Sequence, residues 1–172
     1  MLNTSYLFET KQTERARVGI FIIKENKIIV GDATPQSNPY KYKYIIPGGG
    51  IEPGESLKQT CIRESMEEIS IVPKNIKILI NKPYIKCGLK SYGFKYDCSK
   101  LYYCYGQYSH RDKSIWGTED GFKTPPIELE YTEIKDWLKW CINVTKNDIP
   151  RNFKYKADLE MLEKLVKINI IS

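Results

Sequence analysis

No stretch of this sequence is apolar for long enough to cross a bilayer. Its opening residues, MLNTSYLFETKQTERAR, hold no hydrophobic region of the kind a secretory leader needs. A membrane partner is therefore excluded from the expectation, and a cytoplasmic location is expected. There is no internal repeat, low-complexity tract, GxSxG nucleophile elbow or CxxC pair. The five cysteines, Cys61, Cys87, Cys98, Cys104 and Cys141, are odd in number. Without a CxxC they read as free thiols, buried or half-exposed, and a disulfide framework or zinc site is not expected. A grouping of Cys87, Cys98 and Cys104 with His110 matches no zinc spacing. Basic residues also form no long block: the net charge is +6, but the lysines are scattered. That balance suits a polyanionic partner and equally suits an ordinary solvated surface. What remains is a chain of 172 residues, 41% hydrophobic and 28% charged, expected to form one domain over 1–172.

Hydrophobic periodicity supplies the elements. RVGIFIIKENKIIVGDA reads as two strands with a turn at Lys24, Glu25, Asn26 and Lys27. A polar loop, TPQSNPYKYK, leads to a short strand at Tyr44, Ile45 and Ile46, which ends at Pro47 and three glycines. A helix is predicted over about 55–69, with Pro73 barring its continuation. Strands are predicted at 76–80, around 92–96 and at 101–108, then a polar loop over 110–124 and an extended stretch at 127–130. Thr132 is a candidate cap for a helix reaching about 142, and a last helix covers about 155–168.

The helix over 55–69 carries an unusual charge arrangement. Residues three and four apart share a helix face, so Glu64, Glu67 and Glu68 fall within one arc of roughly 100°. Ile62, Met66 and Ile69 lie opposite; Leu57, Cys61 and Ser65 border the acidic stripe, where they can pack on a sheet. Glu64 and Glu68 are like charges four apart, which costs a helix roughly 0.2–0.5 kcal/mol. All three acids sit near the C-terminus, where the helix dipole disfavours each by roughly 0.3–1 kcal/mol. Arg63 offsets part of this. Selection for helix stability alone would place these acids in the first turn. Their convergence fits a hard divalent cation such as Mg²⁺, which takes oxygen ligands.

The same stretch resembles the Nudix box, G-x5-E-x7-R-E-U-x-E-E-x-G-U with U an apolar residue. Gly49, Glu55, Arg63, Glu64, Glu67, Glu68 and Ile71 match it. Pro47, Gly48, Glu52 and Gly54 are similar to the family's PGGxxExGE opening. Chance would produce the charged and glycine matches with a probability on the order of 10⁻⁵. Two positions depart: Ser65 replaces an apolar residue, and Ser70 replaces the last glycine. Serine in the left-handed conformation expected there costs roughly 1 kcal/mol.

The resemblance implies an α/β fold, a Nudix-type α/β/α sandwich with a mixed β-sheet. It implies Mg²⁺ or Mn²⁺ held by Glu64, Glu67 and Glu68, with Gly48 and Gly49 letting backbone approach the ion and Gly48 a candidate ligand. Arg63 would orient a carboxylate through its planar fork, and Glu52 and Glu55 would support the loop or add ligands. Glu64 is also a candidate base. A further acid is expected from outside the box among Asp112, Glu119, Asp120, Glu128 and Glu130. Glu119 is favoured, because Gly117 and Gly121 let its loop bend over a site. The implied activity is metal-dependent hydrolysis of a phosphoanhydride in a nucleoside diphosphate linked to another moiety. The implied partner is a soluble nucleotide-derived substrate, with tyrosines of 84–108 as candidates to stack on its base. Two alternatives stand beside it: an RNA 5′-cap or 5′-pyrophosphate hydrolase, and a non-catalytic Nudix-fold nucleotide-binding module. A homodimer is left open.

Overall fold

The structure is a computed structural model, described here for residues 14–33, 43–112 and 126–172. Eight strands share one mixed sheet. They are β1 (Glu14–Lys24), β2 (Lys27–Asp32), β3 (Tyr44–Ile45), β4 (Gly48–Gly50), β5 (Ile71–Ile78), β6 (Tyr84–Lys86), β7 (Cys98–Arg111) and β8 (Ile127–Leu129). The spatial order is β3-β2-β1-β7-β5, with β4 also on β1, β6 on β7 and β8 on β2. Only β1 and β7 among these pair in parallel, and every other pairing is antiparallel.

Strand β1 shows why the sheet is covered on both faces. Successive side chains point to opposite sides. Val18, Ile20 and Ile22 join Cys61, Ile69 and Ile71 in one apolar cluster, under helix α1 (Leu57–Ile69). Phe21 and Ile23 join the other cluster, with Ile134, Trp137 and Leu138 of α2 (Tyr131–Val144) and Met161, Leu162 and Leu165 of α3 (Ile149–Lys167). An unbroken apolar run buried on both faces is what a central strand of a helix–sheet–helix sandwich requires. The expected α/β/α layering is the one observed. Among the described residues no helix is long and apolar enough to cross a membrane.

Several boundaries differ from expectation. Helix α1 starts at Leu57 because Ser56 caps it: its Oγ accepts from the Gln59 N–H at 3.3 Å, and Gln59 Oε1 accepts from the Ser56 N–H at 2.8 Å. Glu130, not Thr132, caps α2 through a reciprocal box with Glu133. Asp148 and Pro150 start α3 well before residue 155. Pro73 lies within β5, at a register shift, and that strand begins at Ile71. The strand expected around 92–96 is instead β6 at Tyr84–Lys86, followed by a 3₁₀ turn at Leu89–Tyr92. The turn between β1 and β2 is the expected one, with Glu25 at φ 56°.

One expectation about the thiols is corrected. Cys87 and Cys98 form a disulfide. The β6–β7 register sets Lys86 opposite Ser99, so the next pair outward, Cys87 and Cys98, also face each other. An odd cysteine count does not bar one pair created by strand register. Cys61, Cys104 and Cys141 are free and buried, as read.

Candidate active site

The site is assembled where β4 meets α1. Strand β4 is three glycines laid antiparallel against β1, with Val18 opposite Gly49 and Gly19 opposite Gly48. A Cβ at Gly49 would fall inside the Glu64 carboxylate, and one at Gly48 would fall on the Val18 carbonyl oxygen. Only glycine lets this strand lie between the sheet and the acidic face of the helix.

Arg63 organises the carboxylates. Its Nε donates to Glu55 Oε1 at 2.7 Å and its Nη2 to Glu55 Oε2 at 2.9 Å and the Gly50 carbonyl at 2.8 Å. Its Nη1 donates to Glu64 Oε1 at 2.8 Å and Glu67 Oε2 at 3.1 Å. This is the positioning expected of its fork. Glu55 takes the supporting role: it also accepts from Thr60 Oγ1 at 2.8 Å and the Glu52 N–H at 3.1 Å. Those donors, Arg63 first, hold its carboxyl down at about 2.

Glu68 turns the other way and accepts from the Gly48 N–H at 2.9 Å. As the side chains stand, Glu64 and Glu67 share Arg63 while Glu68 is held by Gly48. Among the described residues no three acidic, histidine or cysteine side chains are drawn onto one metal point. Gly48, expected as a candidate ligand, is placed beside Glu68, to which its N–H donates.

The electrostatics are those of a site short of positive charge. Glu64 is only 8% exposed, and its carboxyl is pushed up by burial, with Glu67 adding to the effect against Arg63. Glu68 is pushed up to about 7 by burial and by Glu64, against the Gly48 N–H, Lys154 and Arg17. Buried Glu64 and half-buried Glu68, both pushed toward the neutral form, and Glu67 beside them carry hard oxygen donors, a donor set that fits a divalent cation.

Helix α1 buries Cys61 and Ser65, with Leu57 packed beside them, as their border positions predicted; Ile69, expected on the opposite arc, is buried in the same cluster. Ile62, on the opposite arc, is 36% exposed. Ser70 ends the helix in the left-handed conformation, φ 56° and ψ 32°, as its place in the box implied.

Of the acids considered outside the box, Glu119 and Asp120 lie outside the described residues. Glu128 pairs with Lys24 at 2.5 Å, and Glu130 pairs with Lys27 at 3.4 Å and caps α2. Asp112 donates its backbone N–H to the Ser70 carbonyl at 2.9 Å, at the helix exit. Sequence reasoning missed Arg17 and Lys154, the two cations that bias Glu68 toward its charged form. Lys154 is held by Asp158, 2.7 Å away and 1% exposed, which also accepts from Tyr103 Oη at 2.5 Å. A buried acid one turn after a lysine on an otherwise apolar face was the available signal.

The NUDIX domain family model matches residues 13–141. The chain belongs to the Nudix hydrolase superfamily. Family members generally use divalent metal ions and act on nucleoside diphosphate derivatives. An ADP-ribose pyrophosphatase of Methanocaldococcus jannaschii is 38% identical over 53 residues, which is 31% of this chain and 30% of that protein. An RNA pyrophosphohydrolase of Wolbachia sp. subsp. Brugia malayi is 27% identical over 172 residues, covering 96% of this chain and 99% of that one. The solution structure of the Escherichia coli ORF135 protein shares the fold, with a TM-score of 0.57, 15% identity and 92% of each chain covered. The family match ends before α3, so Lys154 and Asp158 stand outside it.

Proposed function

We propose that this Nudix hydrolase cleaves a phosphoanhydride bond in a nucleoside diphosphate linked to another moiety, with Mg²⁺ or Mn²⁺ as cofactor and a soluble nucleotide derivative as substrate. The observation that carries the reading is the cluster of half-buried carboxylates on α1, clamped by Arg63 against a glycine strand. Glu64, Glu67 and Glu68 would hold the ion, with the Gly48 backbone alongside. A bound ion of this kind polarises phosphate oxygens and lowers the pKa of an attacking water.

The chain's own residues have separable tasks. Arg63 fixes Glu64 and Glu67 and ties both to the loop through Glu55 and the Gly50 carbonyl. Arg17 and Lys154 supply positive charge that acts on Glu68 and would favour an approaching substrate phosphate. Glu119 is the proposed base that accepts the proton of the attacking water, with Glu64 as the alternative. The proposed location is cytoplasmic.

The test separates and identifies the phosphorylated products formed with Mg²⁺, and with excess chelator, from nucleoside triphosphates, ADP-ribose, NAD, dinucleoside polyphosphates, nucleotide sugars and 5′-triphosphate RNA. Hydrolysis of at least one soluble nucleotide that chelation abolishes is expected; activity surviving exhaustive chelation would refute the metal reading. A second reading, hydrolysis at an RNA 5′ end, is favoured by the end-to-end match to the Wolbachia protein and by the charge of +6. Turnover confined to 5′-triphosphate RNA would select it.

A further inference from the structure

The segment between β6 and β7 is an arch closed at its base by Cys87–Cys98. It contains the 3₁₀ turn and three aromatic residues, Tyr92, Phe94 and Tyr96. Tyr92 is 47% and Phe94 39% exposed, although buried Leu89 anchors the arch and its N–H donates to the Asp97 carbonyl at 2.9 Å. With Leu89, the three rings line a cavity of about 700 Å³ between the arch and α3. Four cations, Arg17, Lys86, Arg151 and Lys154, line the same cavity; Arg151 pairs with Asp148 at 2.8 Å and Lys154 with Asp158 at 2.7 Å, so these groups leave a net positive charge. Flat aromatic faces beside concentrated positive charge complement a molecule that joins an aromatic base to phosphates.

The cavity is coupled to the carboxylate site without sharing its glutamates. Arg17 lines it and stands opposite Gly50 of the glycine strand in the β1–β4 register. Arg15 spans the remaining gap: its guanidinium lies 5.5 Å from the Tyr96 ring centre and 3.1 Å from where a Cβ on Gly50 would sit.

We propose that the arch is the base-recognition element of this hydrolase and that the Cys87–Cys98 disulfide is its positioning device, so that reduction weakens recognition of base-bearing substrates. The inference rests on the function proposed above. Cys87 is exposed and open to a thiol reductant. A dithiol reductant attacks as its thiolate, forms a mixed disulfide with one cysteine and expels the other. Its second thiol then resolves the intermediate, leaving two protein thiols and the reductant as a cyclic disulfide. The freed arch samples more conformations, and a base must order it on binding. Disulfides in a reducing compartment are characteristically transient and redox-sensing, which suits a control of this kind.

The experiment measures equilibrium binding of ADP and of inorganic pyrophosphate, without metal, to the oxidised full chain, the dithiol-reduced chain, a Cys87→Ser, Cys98→Ser double variant and Tyr96→Ala. ADP affinity is expected to fall about 5-fold or more for Tyr96→Ala, as loss of one stacking ring implies, and to fall in the reduced and double-variant proteins. Pyrophosphate affinity should stay within error. By linkage, saturating ADP should shift the thiol–disulfide equilibrium toward the disulfide by the factor that reduction costs in ADP affinity. Equal losses for ADP and pyrophosphate, no loss for either, or a disulfide equilibrium indifferent to ADP would overturn the proposal. Failure of the hydrolase reading is separately visible: ADP binding would follow this pattern while no nucleotide is turned over with Mg²⁺.

Discussion

Replacing Glu68 by glutamine is expected to stabilise the metal-free protein while removing most of its turnover. The carboxyl moves from an ordinary 4.5 to about 7, mainly through burial and the neighbouring Glu64. At about 1.4 kcal/mol per unit, the charged form costs up to about 3 kcal/mol. This is an upper bound, because the side chain retains some contact with water. The folded-state value is raised, so the favourable contribution is complete below pH 4.5, is lost as pH climbs toward 7, and stays lost above it. Glutamine keeps an oxygen for the Gly48 N–H but carries no charge. In chelator, the variant's melting temperature should barely exceed the parent's at pH 4 and should exceed it by up to about 6–12 °C at pH 8. Added Mg²⁺ should raise the parent's melting temperature at pH 8 and narrow that gap, because the cation relieves the repulsion that glutamine removes. Thermal unfolding of both proteins at the two pH values, with chelator and with Mg²⁺, supplies the full comparison. A gap independent of pH, or an equal Mg²⁺ shift in both proteins, would refute the reasoning.

Arg63→Lys should destabilise by about 2–3 kcal/mol in urea titrations, because one ammonium cannot reproduce the fork that joins Glu55, Glu64, Glu67 and Gly50. Cys87→Ser with Cys98→Ser should cost roughly 3 kcal/mol, from the 11-residue separation the bridge closes. A melting temperature unchanged from the oxidised parent would contradict that. Ser70→Gly should stabilise by about 1–2 kcal/mol: it relieves the left-handed serine and removes a buried hydroxyl that has no hydrogen-bond partner among the described residues, less the entropy glycine loses on folding. Ser70→Ala removes only the hydroxyl, so the difference between the two variants, read by thermal unfolding, isolates the backbone contribution. Glu119→Gln should flatten the basic rise of the pH–rate profile; parental turnover and pH dependence would transfer the base to Glu64.

The acidic helix was legible because its defining property is local. Spacing of three and four places Glu64, Glu67 and Glu68 on one face, and like charges near a helix C-terminus announce a cost that demands a purpose. The β1–β2 hairpin was equally plain, since an apolar run interrupted by four polar residues admits few other folds. Caps were harder. Ser56 with Gln59, and Glu130 with Glu133, are reciprocal pairs whose first member lies outside the apolar period, so the period misplaced both helix starts. The strand expected around 92–96 failed for a related reason. Its alternating aromatics line a cavity, whereas Tyr84–Lys86 gains its strand identity from pairing with β7, a partner invisible to a local window.

That distinction also separates the two halves of the site. The residues that would hold an ion lie within one turn of helix and could be named from spacing. The charges that tune them arrive from strand β1, as Arg17, and from α3, as Lys154. Lys154 is held by Asp158 and Asp158 by Tyr103, a chain that runs from α3 into the central sheet. Its cost is a nearly fully buried carboxylate, which two hydrogen bonds compensate. A helix beyond the family match thus adds positive charge that favours the ionised form of Glu68 inside it. If that chain serves the site, Asp158→Asn should alter the approach of phosphate more than the ion's affinity. It should raise KM for an anionic substrate while leaving the Mg²⁺ concentration for half-maximal rate near the parent's; equal loss of both would reduce the chain to a packing role.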